Sequence, residues 1–210
     1  MIGSCIVDVL NELNENYNCN IKIVAGIRNK NNFLERFYSY KNLEIVELDV
    51  NNIINHNDRV DYIINAASNS NPKLFADKPV ETLISNIIGT KNIMDFAYNK
   101  KTKRVIYISS GEVYGDNRDK ELINFFTEDY VGKIDSTQVR SCYPIGKKSA
   151  ETLMFAYTKE YKLESIVVRP CHTYGPTQTE SDNRASSEFF RKSINNENII
   201  MKSKGDQIRT

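Results

Sequence analysis

Residues 104–115 read Arg-Val-Ile-Tyr-Ile-Ser-Ser-Gly-Glu-Val-Tyr-Gly. Arg104–Ser109 is short, β-branched and largely apolar, and it stops abruptly in hydroxyls and a glycine. A run of that kind suits a strand covered on both faces, as in a parallel sheet. The polar stop is what the carboxyl edge of such a sheet presents to a ligand. Outward from it, similar runs occur at Ile21–Ile27, Leu43–Val50, Asp61–Ala67 and Ser165–Arg169, with a shorter one at Ile199–Met201. Helical spacing fills the intervals. Ile6, Val7, Leu10 and Leu13 mark a helix over Ile2–Asn16, and Phe33, Phe37 and Tyr40 mark a short one over Asn31–Tyr40. Pro79 opens a long helix to about Asn99, because proline is tolerated in the first turn. That helix is expected to bury Leu83, Ile87, Ile88, Ile93, Met94 and Phe96. Cys142–Tyr161 and Ser186–Asn195 are the last two helices, and residues 111–141 read as mostly irregular. Strands alternating with helices predict an α/β fold with a doubly wound parallel sheet.

Composition narrows the function. The chain has 210 residues, 40% hydrophobic and 26% charged, with net charge +1. That excludes a disordered chain, and it lacks the basic excess of a nucleic-acid or membrane-surface binder. No apolar run approaches the ~18–20 residues that span a bilayer. No secretory signal precedes the first helix, so a cytoplasmic protein is expected. The cysteines at 5, 19, 142 and 171 are widely spaced and read as reduced. His56 and His172 stand alone in sequence, and no metal site is expected.

The chemistry gathers at three places. Tyr143-Pro-Ile-Gly-Lys147 puts a phenol and an ammonium one helical turn apart on one face. A nearby cation favours phenolate, which predicts a lowered tyrosine pKa and a general acid/base for a sugar hydroxyl. Upstream, Ser109-Ser110-Gly111-Glu112-Val113-Tyr114-Gly115 follows a strand. Downstream, Arg169-Pro170-Cys171-His172-Thr173-Tyr174-Gly175-Pro176 follows another.

In these blocks, and in their order, the chain resembles the extended short-chain dehydrogenase/reductases, specifically the nucleotide-sugar epimerases, dehydratases and decarboxylases. The resemblance implies a Rossmann fold and roles for individual residues. Ser110 matches the Ser/Thr that bonds the reacting hydroxyl, Tyr143 the catalytic base, and Lys147 its partner at the nicotinamide ribose. Asp49 and Val50 match contacts to the adenine, and Asn65, Ala66 and Ala67 the stretch beside the cofactor. Asn86 matches an asparagine that supports the active-site strand. Arg169 and Pro170 fall at the strand end lining the cofactor. Arg184 and Arg209 match arginines at the nucleotide diphosphate, where a planar guanidinium gives paired bonds to phosphate. His172 stands where relatives carry a substrate-facing asparagine.

The implied reaction removes the proton of the sugar 4-hydroxyl through Tyr143 while hydride leaves carbon 4 for NAD or NADP. The 4-keto sugar then permits epimerisation, dehydration or decarboxylation. Dehydratases resemble Thr-Asp-Glu where this chain has Ser110-Gly111-Glu112, and Gly111 offers no acid. Ser-x-Glu-Val-Tyr-Gly is similar to UDP-glucuronate decarboxylases. Epimerases and 4-ketoreductases stay open, and Glu112 is either a reacting or a structural carboxylate. Arg28, after the strand at 21–27, meets either the 2′-phosphate of NADP or solvent.

The front departs from the family. Only Gly3 matches its glycine loop, as the third glycine, and no strand precedes the first helix. Two half-sheets across a gap, or re-paired strands, are therefore expected. We expect a fragment of a longer gene product: residues 1–170 form an incomplete dinucleotide-binding domain and 171–210 begin a nucleotide-sugar-binding region. As such it is expected to bind dinucleotide poorly. The family implies a homodimer through the helices at 79–99 and 142–161. A non-catalytic scaffold is the alternative, and retention of Ser110, Tyr143 and Lys147 together favours an enzyme.

Overall fold

The computed structural model describes residues 1–29, 35–69, 72–115, 126–175, 177, 182 and 184–201. Its elements are α1 (Ile2–Tyr17), β1 (Ile23–Ile27), β2 (Leu43–Glu47), β3 (Tyr62–Asn65), α2 (Pro72–Asp77), α3 (Pro79–Asn99), β4 (Arg104–Ile108), α4 (Cys142–Tyr161), β5 (Glu164–Val168) and α5 (Ala185–Ile194). Asn18 and Lys162 close α1 and α4 in the left-handed conformation. Pro79 starts α3, with Glu81 in the first turn complementing the helix dipole.

All strand pairs are parallel, but they form two sheets: β1–β2, and β3–β4–β5. β1 and β3 are not paired with each other, so the half-sheets stay apart, as the missing strand predicts. The core lies where α3 and α4 cover one face of β3–β4–β5. Ile93, Met94 and Ala97 from α3 meet Ala150, Met154 and Tyr157 from α4 over Val105 and Tyr107 of β4. Strand alternation turns Ile64, Ile166 and Val168 to the opposite face, where they are partly exposed. The first sheet is tied on through α3. Asn92 donates to the Val50 carbonyl (2.8 Å) and Asn51 to the Ser85 hydroxyl (3.1 Å).

Four expectations are corrected. The helix over 31–40 is, in its described part, one 3-10 stretch, Glu35–Ser39. The polar segment after β3 contains a short helix, α2. Ile199–Met201 forms no strand, because no sheet edge pairs with it. Most instructive is α3, which buries Thr82, Ser85, Asn86, Gly89 and Thr90 and leaves Ile84 and Ile88 exposed. Ile93 and Met94 are buried and Leu83, Ile87 and Phe96 half-buried, as expected, so only Ile88 departs; close packing against α4 adds small and polar side chains that hydrophobicity alone does not point to.

Candidate active site

The β4–β5 ladder continues past both strands. Ser109 N–H donates to the Val168 carbonyl (2.8 Å) and Gly111 N–H to the Pro170 carbonyl (3.0 Å). The two segments that follow the strands are thereby held side by side. Ser110 then caps a 3-10 turn over Gly111–Tyr114, its hydroxyl accepting from the Glu112 N–H (3.2 Å). Gly115 ends the turn at φ +73°, and a Cβ there would lie 2.7 Å from the Lys133 carbonyl oxygen, so glycine is required.

α4 presents Tyr143 and Lys147 to this turn. The Tyr143 phenol lies beside the Ser110 hydroxyl, which favours its ionised form. Its ring stacks on Phe75 of α2, with centroids 4.4 Å apart. Lys147, 2% exposed, donates from Nζ to the Ile108 carbonyl (2.7 Å). Nζ lies 4.7 Å from the Tyr107 ring centre and 5.8 Å from that of Tyr143. Asn86 stands behind them, buried, accepting from Ser68 (3.0 Å) and Tyr107 (3.4 Å) and donating to the Thr82 carbonyl (2.8 Å).

The expected lowering of the tyrosine pKa is overturned. Burial raises the Tyr143 phenol above its ordinary value; Glu112 adds to the rise, while the Ser110 hydroxyl and the charges of Arg140 and Arg184 oppose it. Burial also draws Lys147 down to about 7, against the pull of Glu151. Desolvation of both groups outweighs their attraction, so Tyr143 rests as a phenol.

The other expected site residues fall into place unevenly. Glu112 receives the Arg140 guanidinium at 2.8 Å on each oxygen, and Arg140 lies 4.8 Å over the Phe75 ring. Arg184 acts on Tyr143 electrostatically, and its guanidinium is paired with Asp182. Arg169 is committed to Glu151, to the Glu128 carbonyl and to the face of Tyr114. Pro170 supplies its carbonyl to Gly111, and His172 is exposed at φ +40°. Asp49, Val50, Asn65, Ala66 and Ala67 follow or end β2 and β3; Asn65 is in register with Tyr107, whose ring centre lies 4.7 Å from the Lys147 amine. Asp49 accepts from the Asn51 N–H (2.9 Å) and Asn65 from the Ala67 N–H (3.1 Å). Val50 packs against Gly89, where a Cβ would meet its Cγ2 at 2.7 Å. Gly3 faces Ala66, whose Cβ is 3.7 Å from where a Cβ on Gly3 would lie. Arg28 pairs with Glu81 (3.2 Å). Arg209 lies outside the described residues.

Four participants escaped the sequence reading: Phe75, Arg140, Glu151 and Cys171. Glu151 was legible in principle, because Tyr143, Lys147 and Glu151 recur every four residues on α4. The others meet the site only through tertiary contacts. The Cys171 sulfur sits 2.4 Å from where a Cβ on Gly111 would be, so a side chain at residue 111 must displace that sulfur. His56 is also less solitary than its sequence suggests. Its ring, Glu44 and Asp58 form a group with ligand-type atoms within 4.8 Å of one another. The Lys22 ammonium already joins both carboxylates there, at 2.6 and 3.1 Å.

A parallel α/β sheet with serine, tyrosine and lysine converging at its carboxyl edge defines a site of the short-chain dehydrogenase/reductase type. The sequence model of the NAD dependent epimerase/dehydratase family matches residues 1–210, and the chain belongs to that family. It is 34% identical to UDP-glucuronic acid decarboxylase 6 of Arabidopsis thaliana, over all of this chain and 58% of that one. Identity to UDP-glucuronic acid decarboxylase 1 of Xenopus tropicalis is 31%, over 84% of this chain and 40% of the relative. The chain thus spans 40–58% of the length of these two curated relatives. Among solved structures, a UDP-N-acetylglucosamine 4-epimerase from Methanobrevibacter ruminantium in complex with UDP-N-acetylmuramic acid superimposes with TM-score 0.80 at 22% identity, covering 99% of this chain and 64% of that one. A dTDP-glucose 4,6-dehydratase from Streptomyces venezuelae with NAD bound gives 0.74 at 21% identity, covering 93% and 59%. These likenesses establish the fold. No described helix is long and apolar enough to cross a membrane.

Proposed function

We propose that the protein modifies a nucleotide-sugar through a 4-keto intermediate, as a UDP-glucuronate decarboxylase. The observation that carries this is the conjunction of Ser110, Glu112, Tyr143 and Lys147 at one strand edge, with the Cys171 sulfur packed where a side chain on residue 111 would lie. A 4,6-dehydratase of this family needs an acid at that position, so elimination is disfavoured. Similarity along the whole of this chain to curated decarboxylases, of which it covers 58–59%, supports the same branch.

Residues fit a nicotinamide dinucleotide at both of its ends: Tyr143 and Lys147 for the nicotinamide ribose, Asp49 and Val50 for the adenine. When bound, that group takes up hydride from carbon 4. A sugar 4-hydroxyl entering between Ser110 and Tyr143 finds one partner to orient it and one to take its proton. Tyr143 accepts that proton as a phenolate, so its own proton leaves first; the buried Lys147 amine, drawn down to about 7 and so partly unprotonated near neutral pH, is the group one helical turn away that takes it. Arg184 is the diphosphate ligand. Glu112, fixed by Arg140, is a second proton-handling group beside the phenol. A structural neighbour, the dTDP-glucose 4,6-dehydratase, holds NAD, which supports NAD as the dinucleotide. Residues 1–170 would bind dinucleotide and 171–210 begin the sugar-binding part. On α3, Val80, Ile84 and Ile88 form an exposed apolar stripe, which supports a homodimer.

Thermal melts with NAD⁺, NADP⁺ and UDP-sugars, followed by NMR of UDP-glucuronate incubations, test this reading. Loss of the carboxylate as CO₂ from wild type and not from Tyr143→Phe is expected. Accumulation of a C4 epimer would show an epimerase instead. The separation of the two sheets favours one alternative, a non-catalytic scaffold; a ligand-insensitive melt with no turnover would establish it.

A further inference from the structure

Glu151 is a buried carboxylate, 4% exposed, that no step of the proposed reaction uses. It is bonded to two other elements. The Ser109 hydroxyl donates to its Oε1 from the end of β4, and Arg169, just past β5, donates from Nε to Oε1 (3.0 Å) and from Nη2 to Oε2 (2.8 Å). Glu151 is also one helical turn beyond Lys147, which is one turn beyond Tyr143. The helix that carries the acid/base pair is thus clamped to the two strand ends that carry Ser110 and Pro170.

We propose that Glu151 is the positioning residue of this site: it locks α4 to the ends of β4 and β5 and supplies the negative charge that faces the Lys147 amine. Its relevance to turnover rests on the reading given above, but its effect on Lys147 does not. Among the described residues, the titratable groups that touch or act on that amine are Tyr107 from β4 and Tyr143 and Glu151 from α4. Arg169 stands on the far side of Glu151. Only Glu151 opposes the burial that lowers the amine's affinity for a proton. A residue that merely filled space there would not change when its charge alone is removed.

The test is the protonation midpoint of Lys147, followed by NMR of labelled lysine and assigned with Lys147→Arg. Burial lowers it in wild type, where it is expected at about 7. Glu151→Gln preserves volume and an acceptor oxygen but removes the charge. It is expected to lower the midpoint by about one pH unit, roughly tenfold in proton affinity. Arg169→Gln unmasks the carboxylate and is expected to move the midpoint upward, which keeps the proposal testable if Glu151→Gln fails to fold. Opposite shifts in the two variants establish the role. A midpoint unmoved in both, with the fold retained, overturns it. In an active preparation the pH limb of kcat that reports Lys147 moves with the amine. If the amine midpoints move and no turnover is found, the positioning role stands and the catalytic reading fails.

Discussion

Substituting Gly111 by alanine tests the packing that separates this site from a dehydratase site. The added Cβ would stand 2.4 Å from the Cys171 sulfur, where non-bonded heavy atoms prefer about 3.5–4.0 Å. Over an ångström must be found. The backbone of residue 111 cannot yield it cheaply, because its N–H is bonded to the Pro170 carbonyl at 3.0 Å. The remaining contacts of the new methyl, with Cβ and Cα of Cys171 at 3.6 and 3.7 Å, are ordinary, so moving the sulfur alone relieves the clash. Forcing an exposed thiol from its rotamer and disturbing its neighbours costs about 1–2 kcal/mol. Removing the sulfur first, with Cys171→Ala, should reduce the cost of Gly111→Ala to about 0.5 kcal/mol or less. Urea denaturation of wild type, both single variants and the double variant measures the coupling. A coupling below about 0.3 kcal/mol would refute the claim that the Cys171 sulfur must be displaced by a side chain at residue 111.

Three further outcomes are expected. Tyr143→Phe should reduce turnover by roughly 10²–10⁴-fold with the melting transition nearly unchanged, which steady-state kinetics and circular dichroism would check together. Gly115→Ala meets backbone, not a movable side chain, at positive φ, and should destabilise by about 2–3 kcal/mol; a midpoint in urea like that of wild type would contradict the close approach to Lys133. Lys147 is protonated at about 7 when folded and at its ordinary 10.5 when unfolded, so between those values the unfolded chain binds the extra proton. Wild-type stability should therefore rise with pH through that window relative to Lys147→Met, by about 1.4 kcal/mol per pH unit at most. Paired denaturation curves at pH 6, 7.5 and 9 would expose a flat difference if the amine were solvated.

Local rules account for what the sequence determined. Period and proline geometry act over a single turn, so the limits of α3 and α4 match expectation, and five of the six expected strand runs are found with ends shifted by at most three residues. The Tyr143–Lys147 spacing on a helix and the hydroxyl at Ser110 after a strand are likewise local, and they brought the candidate site into view. Only the tertiary structure decided the rest. The first half of the buried face of α3, Thr82 to Thr90, is polar and small because a neighbouring helix must approach it, while its second half buries Ile93, Met94 and Ala97 as apolar periodicity suggests. Tyr143 keeps its proton because burial, a property of the whole fold, outweighs a cation whose proximity the spacing correctly placed. The partners of Glu151 lie 42 residues before it and 18 after it, and the thiol that fills the space beside Gly111 comes from a different strand end. Contacts of that range arise when the parallel strands align, and they turn a recognisable motif into a site with defined geometry.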